Sequence, residues 1–333
     1  MSTSARLDVL EAADVGGLLR PRDAVEALER ALQGGLDPAT TTPRSSVAAP
    51  AGELLVMPAL TTDVAGVKVV GVAPDNARLG LPRIQGLYLL FDAVTLTPRA
   101  VLDGAALTTL RTPAVSAAAV RRTLADRRRP LSVVVFGAGP QATGHLRTFA
   151  DVLALPTSLS GPVLEATVVV RDTSRVSLPV LDGVRARVLT AEEADVRGAL
   201  QAADLVVCAT TARQPLFDAA LLRQDAVVIA VGAHEPEAQE VETGLAGRAT
   251  VVVEDRATAV REAGVVRAAI SAGLLGPYDV VGMREVVTGS VSPSQERPLL
   301  FVSVGMAWED LVVAARLHDA YGKIVADNQS RRR

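Results

Sequence analysis

The stretch LSVVVFGAGPQATGHL at 131–146 constrains the fold more than any other in the chain. Leu131 and the run from Val133 to Phe136 have the near-continuous apolar character of a strand buried on both faces, as in a parallel sheet. Gly137-Ala138-Gly139 breaks the run, and helix-forming residues follow. That order spells strand, tight turn, helix. Gly137 permits the turn, Gly139 has no side chain to block a pyrophosphate, and Ala142 is small enough for helix and strand to pack closely. The first N–H groups of such a helix suit an anion. A lone GxGxxA is a weak signal, also compatible with an ordinary strand–helix turn, so the flanking pattern matters.

The flanks agree. Candidate strands at 131–136, 166–171, 186–189, 204–209, 226–232 and 249–253 alternate with candidate helices, and 155–163 reads as a loop. Alternation of this kind predicts an α/β fold with a doubly wound parallel sheet, a Rossmann domain. The first third is different. SSVAAP, ELLVMPAL, GVKVVGV, IQGLYLLFDAV and PRAVLDG read as strands, with turns at Ala51-Gly52, Asp63 and Thr97-Pro98. They predict a second, sheet-rich domain. Pro21 opens a helix running to Leu32, and Asp8 to Glu11 cap an earlier one. Residues 107–125 read as a helix with Thr108 or Thr112 near its start, and 305–322 as a last amphipathic helix.

Composition narrows the function. A net charge of -3 and 3% aromatic residues argue against a nucleic-acid surface of basic groups and stacking rings. The one basic run, Arg127-Arg128-Arg129, reads as a solvated helix end before Pro130. No stretch approaches the ~18 apolar residues of a membrane span. The start, MSTSARLDVLEAADV, lacks a signal-peptide pattern, and the single cysteine, Cys208, rules out an intrachain disulfide. A soluble cytoplasmic protein is expected. No His, Cys or carboxylate cluster has metal-ligand spacing, and no Gly-x-Ser-x-Gly elbow is present.

Several residues are suited to chemistry. Of 34 basic residues only Lys68 and Lys323 are lysine. Lys68 lies in an apolar strand, VAGVKVVGVAP, where an ammonium can have its pKa lowered by burial as a guanidinium cannot. The alternative is a chance lysine at a strand edge. Arg111, in TTLRTPAVS between the two halves, suits bidentate capture of a carboxylate or, equally, an inter-domain salt bridge. Arg44 is a weaker carboxylate ligand. Asp172 ends the second Rossmann strand, 35 positions past Gly137 where ~20 is usual. An acid there bonds ribose hydroxyls and favours NAD. Arg171 and Arg175 could hold a 2′-phosphate, which leaves NADP open. His234 follows the strand AVVIAVG, at the ligand-binding edge of an open sheet, and suits proton transfer. His145, His318 and Cys208 read as packing or surface residues.

Taken in order, these blocks resemble the ornithine cyclodeaminase/mu-crystallin family over most of the chain. Lys68 with Pro74-x-Asn76 resembles its K…P-x-N segment. VLDGAALTTLRTPAVSAAA is similar to its DG-x-x-LT-x-x-RTAA-x-SA signature, and FGAGPQATGHL to its G-x-G-x-QA-x-x-HL turn. CATTARQPLF, VGAHEPEAQEV and FVSVGMAWEDL fit later blocks. The resemblance implies a homodimer. It also implies a substrate-binding and dimerisation domain at 1–114 with 306–333, and a dinucleotide-binding domain at 115–305. It implies that Arg44, Lys68, Asn76 and Arg111 hold a small amino-acid or imino/keto-acid substrate. The cofactor would lie near Thr112, Gly137, Gly139, Gln141, Ala142, Asp172, Thr210, Gly232, Ser303 and Gly305. Hydride would pass between nicotinamide C4 and the substrate α-carbon; Lys68 and, from its own place at the sheet edge, His234 are the expected catalytic residues.

Two departures stand out. The family's cyclodeaminases carry an Asp where this chain has His234. They also carry a Glu two residues before a MetPro pair, where this chain has Leu55 before Met57-Pro58. Glu53 shares Leu55's face if that strand is regular. Three functions are therefore expected in order: an NAD(P)-dependent oxidoreductase; a redox-neutral ornithine cyclodeaminase; a small-molecule binding protein without catalysis.

Overall fold

The structure is a computed structural model and describes residues 7–125, 129–153, 163–232 and 237–330. It divides into two compact units. One runs to Thr112 and resumes at Gly305; the other is Pro113–Val304.

The first unit is built on a six-stranded sheet. In chain order its elements are β1 (Asp8–Leu10), α1 (Ala12–Leu18), α2 (Pro21–Gln33), β2 (Ser45–Ala49), β3 (Gly52–Leu60), β4 (Val64–Val72), β5 (Ile84–Asp92), β6 (Pro98–Asp103) and the start of α3 (Gly104–Leu124). The sheet order is β1-β6-β5-β4-β3-β2, with only the β1–β6 pair parallel. Side chains alternate across it. Met57, Lys68, Val70, Tyr88, Leu90 and Leu102 point to a buried face, which packs against the C-terminal helix (Ala307–Ser330). Val67, Val69, Leu87, Leu89 and Val101 point the other way, with Leu54 and Val56 of β3 and Val9 of β1. That second face is apolar yet open, Leu87 being 53% and Val9 59% exposed.

The second unit carries β7 (Leu131–Phe136), α4 (Pro140–Val152), β8 (Leu164–Val170), β9 (Val184–Thr190), α5 (Ala194–Ala202), β10 (Leu205–Cys208), β11 (Val227–Ala230) and α6 (Thr243–Arg248). It continues with β12 (Thr250–Val253), α7 (Arg256–Glu262), α8 (Gly264–Ser271), β13 (Val281–Gly282), α9 (Met283–Thr288) and β14 (Leu299–Val302). Eight parallel strands lie in the order β13-β12-β14-β11-β10-β7-β8-β9. The expected doubly wound parallel sheet is present. The order reverses between β7 and β10, the switch point beside which such sheets bind ligands. β10, β11, β12 and β14 are buried along their whole length, which explains their nearly continuous apolar character, Thr250 being the one polar residue among them.

Four expectations need correction. Asp8 lies in β1, so only Glu11 caps α1. α3 begins at Gly104, where Asp103 Oδ1 accepts from Ala106 N at 2.8 Å; Thr108 and Thr112 are therefore interior. β14, absent from the expected strands, inserts between β11 and β12. Arg129 is no solvated helix end: it forks onto the buried carboxylate of Asp204 at 2.7 and 2.8 Å. Arg127 and Arg128, and the expected loop but for Val163, lie outside the described residues.

Candidate functional site

In the first unit, three segments far apart in sequence bring charges together under the sheet. Lys68 projects from β4 onto the buried face and is 2% exposed. Its Nζ lies 2.7 Å from Asp310 Oδ2. Arg111, on α3, is 5% exposed; its Nη1 donates to Glu309 Oε2 at 2.6 Å and its Nε to Asp310 Oδ1 at 3.1 Å. Glu309 and Asp310 open the C-terminal helix and are fully buried. Two cations and two anions thus balance where each alone would be costly.

Burial and the neighbouring Arg111 charge lower the Lys68 pKa to about 8; Asp310 and Glu309 work in the opposite sense. Tyr88 lies directly across from Lys68 in the ladder. Its hydroxyl is fully buried and has no hydrogen-bond partner among the described residues. Burial, with Asp310 nearby, pushes its pKa up, so it stays a neutral donor. Gly305 packs on the Arg111 guanidinium: with φ +77°, a Cβ there would lie 3.0 Å from two of its nitrogens.

Other expected substrate residues are placed differently. Asn76 donates its side-chain N–H to Pro82 O at 2.9 Å, closing its own loop. Arg44 is half-buried just before β2. The β3–β4 register is unbroken from Glu53 to Leu60, so Glu53 and Leu55 share the face of Met57 and Lys68. Glu53 receives the Ser46 hydroxyl.

In the second unit, the glycine turn has the geometry its sequence suggests. Gly137 sits at φ +102°, and a Cβ there would come within 2.6 Å of Ala209 O. A Cβ on Gly139 would meet nothing within 4 Å, so open space lies over the turn. Gly139 N-caps α4 without a side-chain cap, and no acid lies in that helix's first turn. Ala142 is buried against the sheet, and Gln141 is partly buried beside it. An uncapped helix start with open space before it fits a dinucleotide pyrophosphate.

Neighbouring strand ends complete this edge. Thr210 follows β10 and Gly232 follows β11; both are bonded to the buried carboxylate of Glu240. Ser303, just after β14, donates to Glu254 Oε1 at 2.5 Å, and Val304 N to its other oxygen at 2.9 Å. Asp172 accepts from Ser174 and pairs with Arg175 at 3.1 Å. His145 is a packing residue: its ring nitrogens meet Gln141 O and Ser116 Oγ, and burial lowers its pKa to about 4. Thr112 is buried. His234 lies outside the described residues. Among those described, no cluster of three or more His, Cys, Asp or Glu could hold a metal ion.

The sequence profile of the ornithine cyclodeaminase/mu-crystallin family matches residues 6–323. The chain belongs to that family. Among ornithine cyclodeaminase/mu-crystallin relatives it is 30% identical to the Δ1-pyrroline-2-carboxylate/Δ1-piperideine-2-carboxylate reductase of Azospirillum brasilense, over 96% of this chain and 98% of the other. Its fold superposes with a TM-score of 0.80 on the Thermococcus litoralis Δ1-pyrroline-2-carboxylate reductase solved with NADH and L-proline. That match has 22% identity and covers 95% and 98% of the two chains. An archaeal alanine dehydrogenase dimer with bound NAD gives 0.79 at 26% identity, over 97% of each chain. In this family member, reading from sequence alone misses Tyr88, Glu240, Glu254, Glu309 and Asp310. Only the last two left a trace: adjacent acids inside the apolar run GMAWEDLVVAA.

Proposed function

We propose that this chain is an NAD(P)-dependent oxidoreductase that adds hydride to, or removes it from, the α-carbon of a small imino or amino acid, with NAD as the cofactor. A five-membered cyclic imino acid is the preferred substrate class. The observation that carries the proposal is Lys68: a buried ammonium with a lowered pKa, held beside Arg111 by two carboxylates. The named activities of the relatives support it.

The glycine turn and the start of α4 would hold the pyrophosphate, with Thr210, Gly232 and Ser303 along the same edge and Asp172 toward the ribose. Bound there, the nicotinamide supplies or accepts the hydride. The chain's own residues do the rest. Arg111, with Arg44, binds the substrate carboxylate; Glu309 and Asp310 fix the guanidinium plane so that little ordering is left at binding. Lys68 hydrogen-bonds the imine nitrogen or keto oxygen and stabilises charge developing there. Reduction of the C=N bond consumes one hydride and one proton, and His234 is the proton carrier. Leu55, on the Lys68 face, offers a side-chain amine no partner, and Glu53 on the same face is engaged by the Ser46 hydroxyl, which favours reduction over ornithine cyclisation.

The enzyme works as a homodimer in the cytoplasm. The open apolar face of the first unit's sheet suits a second copy of the chain, since so much exposed hydrophobic surface is otherwise a liability. Buried, unpaired Cys208 suits a reducing compartment.

The test is NADH or NADPH absorbance with Δ1-pyrroline-2-carboxylate, with pyruvate plus ammonia, and with ornithine. NADH oxidation with proline as product is expected from the first. Lys68→Ala should lower kcat by about 100-fold or more while NADH still binds. No turnover of any imino or keto acid, or proline from ornithine without net NADH change, would overturn the proposal.

A further inference from the structure

Two turns at the carboxyl edge of the parallel sheet are tied together by one buried carboxylate. Glu240 is 1% exposed. Its Oε1 accepts from Thr210 N at 2.8 Å and Thr210 Oγ1 at 2.7 Å; its Oε2 accepts from Gly232 N at 2.7 Å. Its own carbonyl accepts from Leu216 N at 2.9 Å, so the residue is anchored at both ends. The turns it joins follow β10 and β11.

Contact extends to the glycine turn. A Cβ on Gly232 would come within 2.0 Å of Thr210 O and 2.6 Å of Glu240 Oε1, so the two turns touch backbone to backbone. A Cβ on Gly137 would be 2.6 Å from Ala209 O and 3.4 Å from Thr210 Cγ2. The turns after β7, β10 and β11 therefore form one packed ledge at the point where strand order reverses. Two of its three turns take their amide orientation from Glu240.

We infer that Glu240 is a positioning residue for the dinucleotide: by accepting from both turns it fixes the ledge against which the cofactor binds. The inference rests on the cofactor reading above. Glutamine cannot replace Glu240. Each carboxylate oxygen faces a backbone N–H, and an amide would turn an N–H donor toward one of them.

The experiment compares NADH affinity by fluorescence titration with thermal unfolding, in the full-length protein. Glu240→Gln should raise the NADH Kd about tenfold, as expected for losing a charged hydrogen bond. KM for NADH should rise with it while KM for the imino acid stays within about twofold. Asp204→Asn is the structural control. Asp204 is also buried, but it lies at the opposite end of β10, accepting from Arg129 and Ser132 N. That variant should lose thermal stability with its NADH Kd unchanged. If Glu240→Gln unfolds, Glu240→Asp, too short to span both turns, is read in the same way. Hydrogen exchange of the unmodified protein needs no variant: the Thr210 and Gly232 amides should be protected before NADH is added. A normal NADH Kd in a destabilised Glu240 variant, or unprotected amides, would overturn the inference. Failure of the unmodified protein to bind any nicotinamide dinucleotide would instead overturn the cofactor reading.

Discussion

Lys68 acts at the residue scale because its surroundings hold two opposing influences in balance. Burial and Arg111 lower its pKa; Asp310 and Glu309 raise it, and it comes to about 8. If the ammonium is the active form, kcat/KM falls as pH rises through about 8, because that ratio reports the free enzyme. Asp310→Asn removes an influence that raises the pKa, so the falling limb should move to lower pH. A pH series of kcat/KM for both proteins checks this; an unmoved limb would remove Lys68 as the titrating group. The effect on stability has the opposite sense to the usual lysine case. The folded chain releases the Lys68 proton near pH 8 and the unfolded chain near 10.5. Between those values the unfolded state binds more protons, so this group's contribution to stability rises with pH across the window.

Among elements, the β3–β4–β5 ladder is the most tightly specified. Gly66 on β4 leaves the space that Tyr88 on β5 fills: a Cβ there would lie 2.1 Å from the hydroxyl oxygen and 2.6 Å from Cζ. Gly66→Ala should destabilise the protein by about 1–3 kcal/mol in denaturant unfolding. Adding Tyr88→Leu should recover part of that loss, since the two side chains share one space. These strands were legible in the sequence because alternation with period two is local, and so was the glycine turn at Gly137. Other elements depend on distant partners. LLFV at β14 has the character of any buried strand, and nothing in it says that it separates β11 from β12. Asp103 caps α3 ahead of the threonines that looked like caps. Glu309 and Asp310 sit where acids commonly favour a helix start in solvent. Their burial is decided by Arg111, 199 residues before Asp310, and by Lys68. Lys68 itself was legible because this chain uses lysine so sparingly.

For the whole molecule, the open sheet face is the surface on which the proposed pairing of two copies is tested. Leu87 is 53% exposed on β5 amid Val69, Leu89 and Val101. A charge at its centre would have to be desolvated in any pairing of two such faces. Leu87→Asp should shift the protein from dimer to monomer in sedimentation velocity; a dimer of unchanged affinity would remove this face from the interface. The other face has a consequence in time. The counter-ions of Lys68 and Arg111 stand on the C-terminal helix, which the ribosome makes only after the entire parallel-sheet unit. Through most of translation the nascent chain holds two cations and half a core with nothing to cover them. The buried charge cluster is therefore completed only at the end of synthesis, and a product stopped short of Glu309 would contain both of its cations and none of the anions that hold them in place.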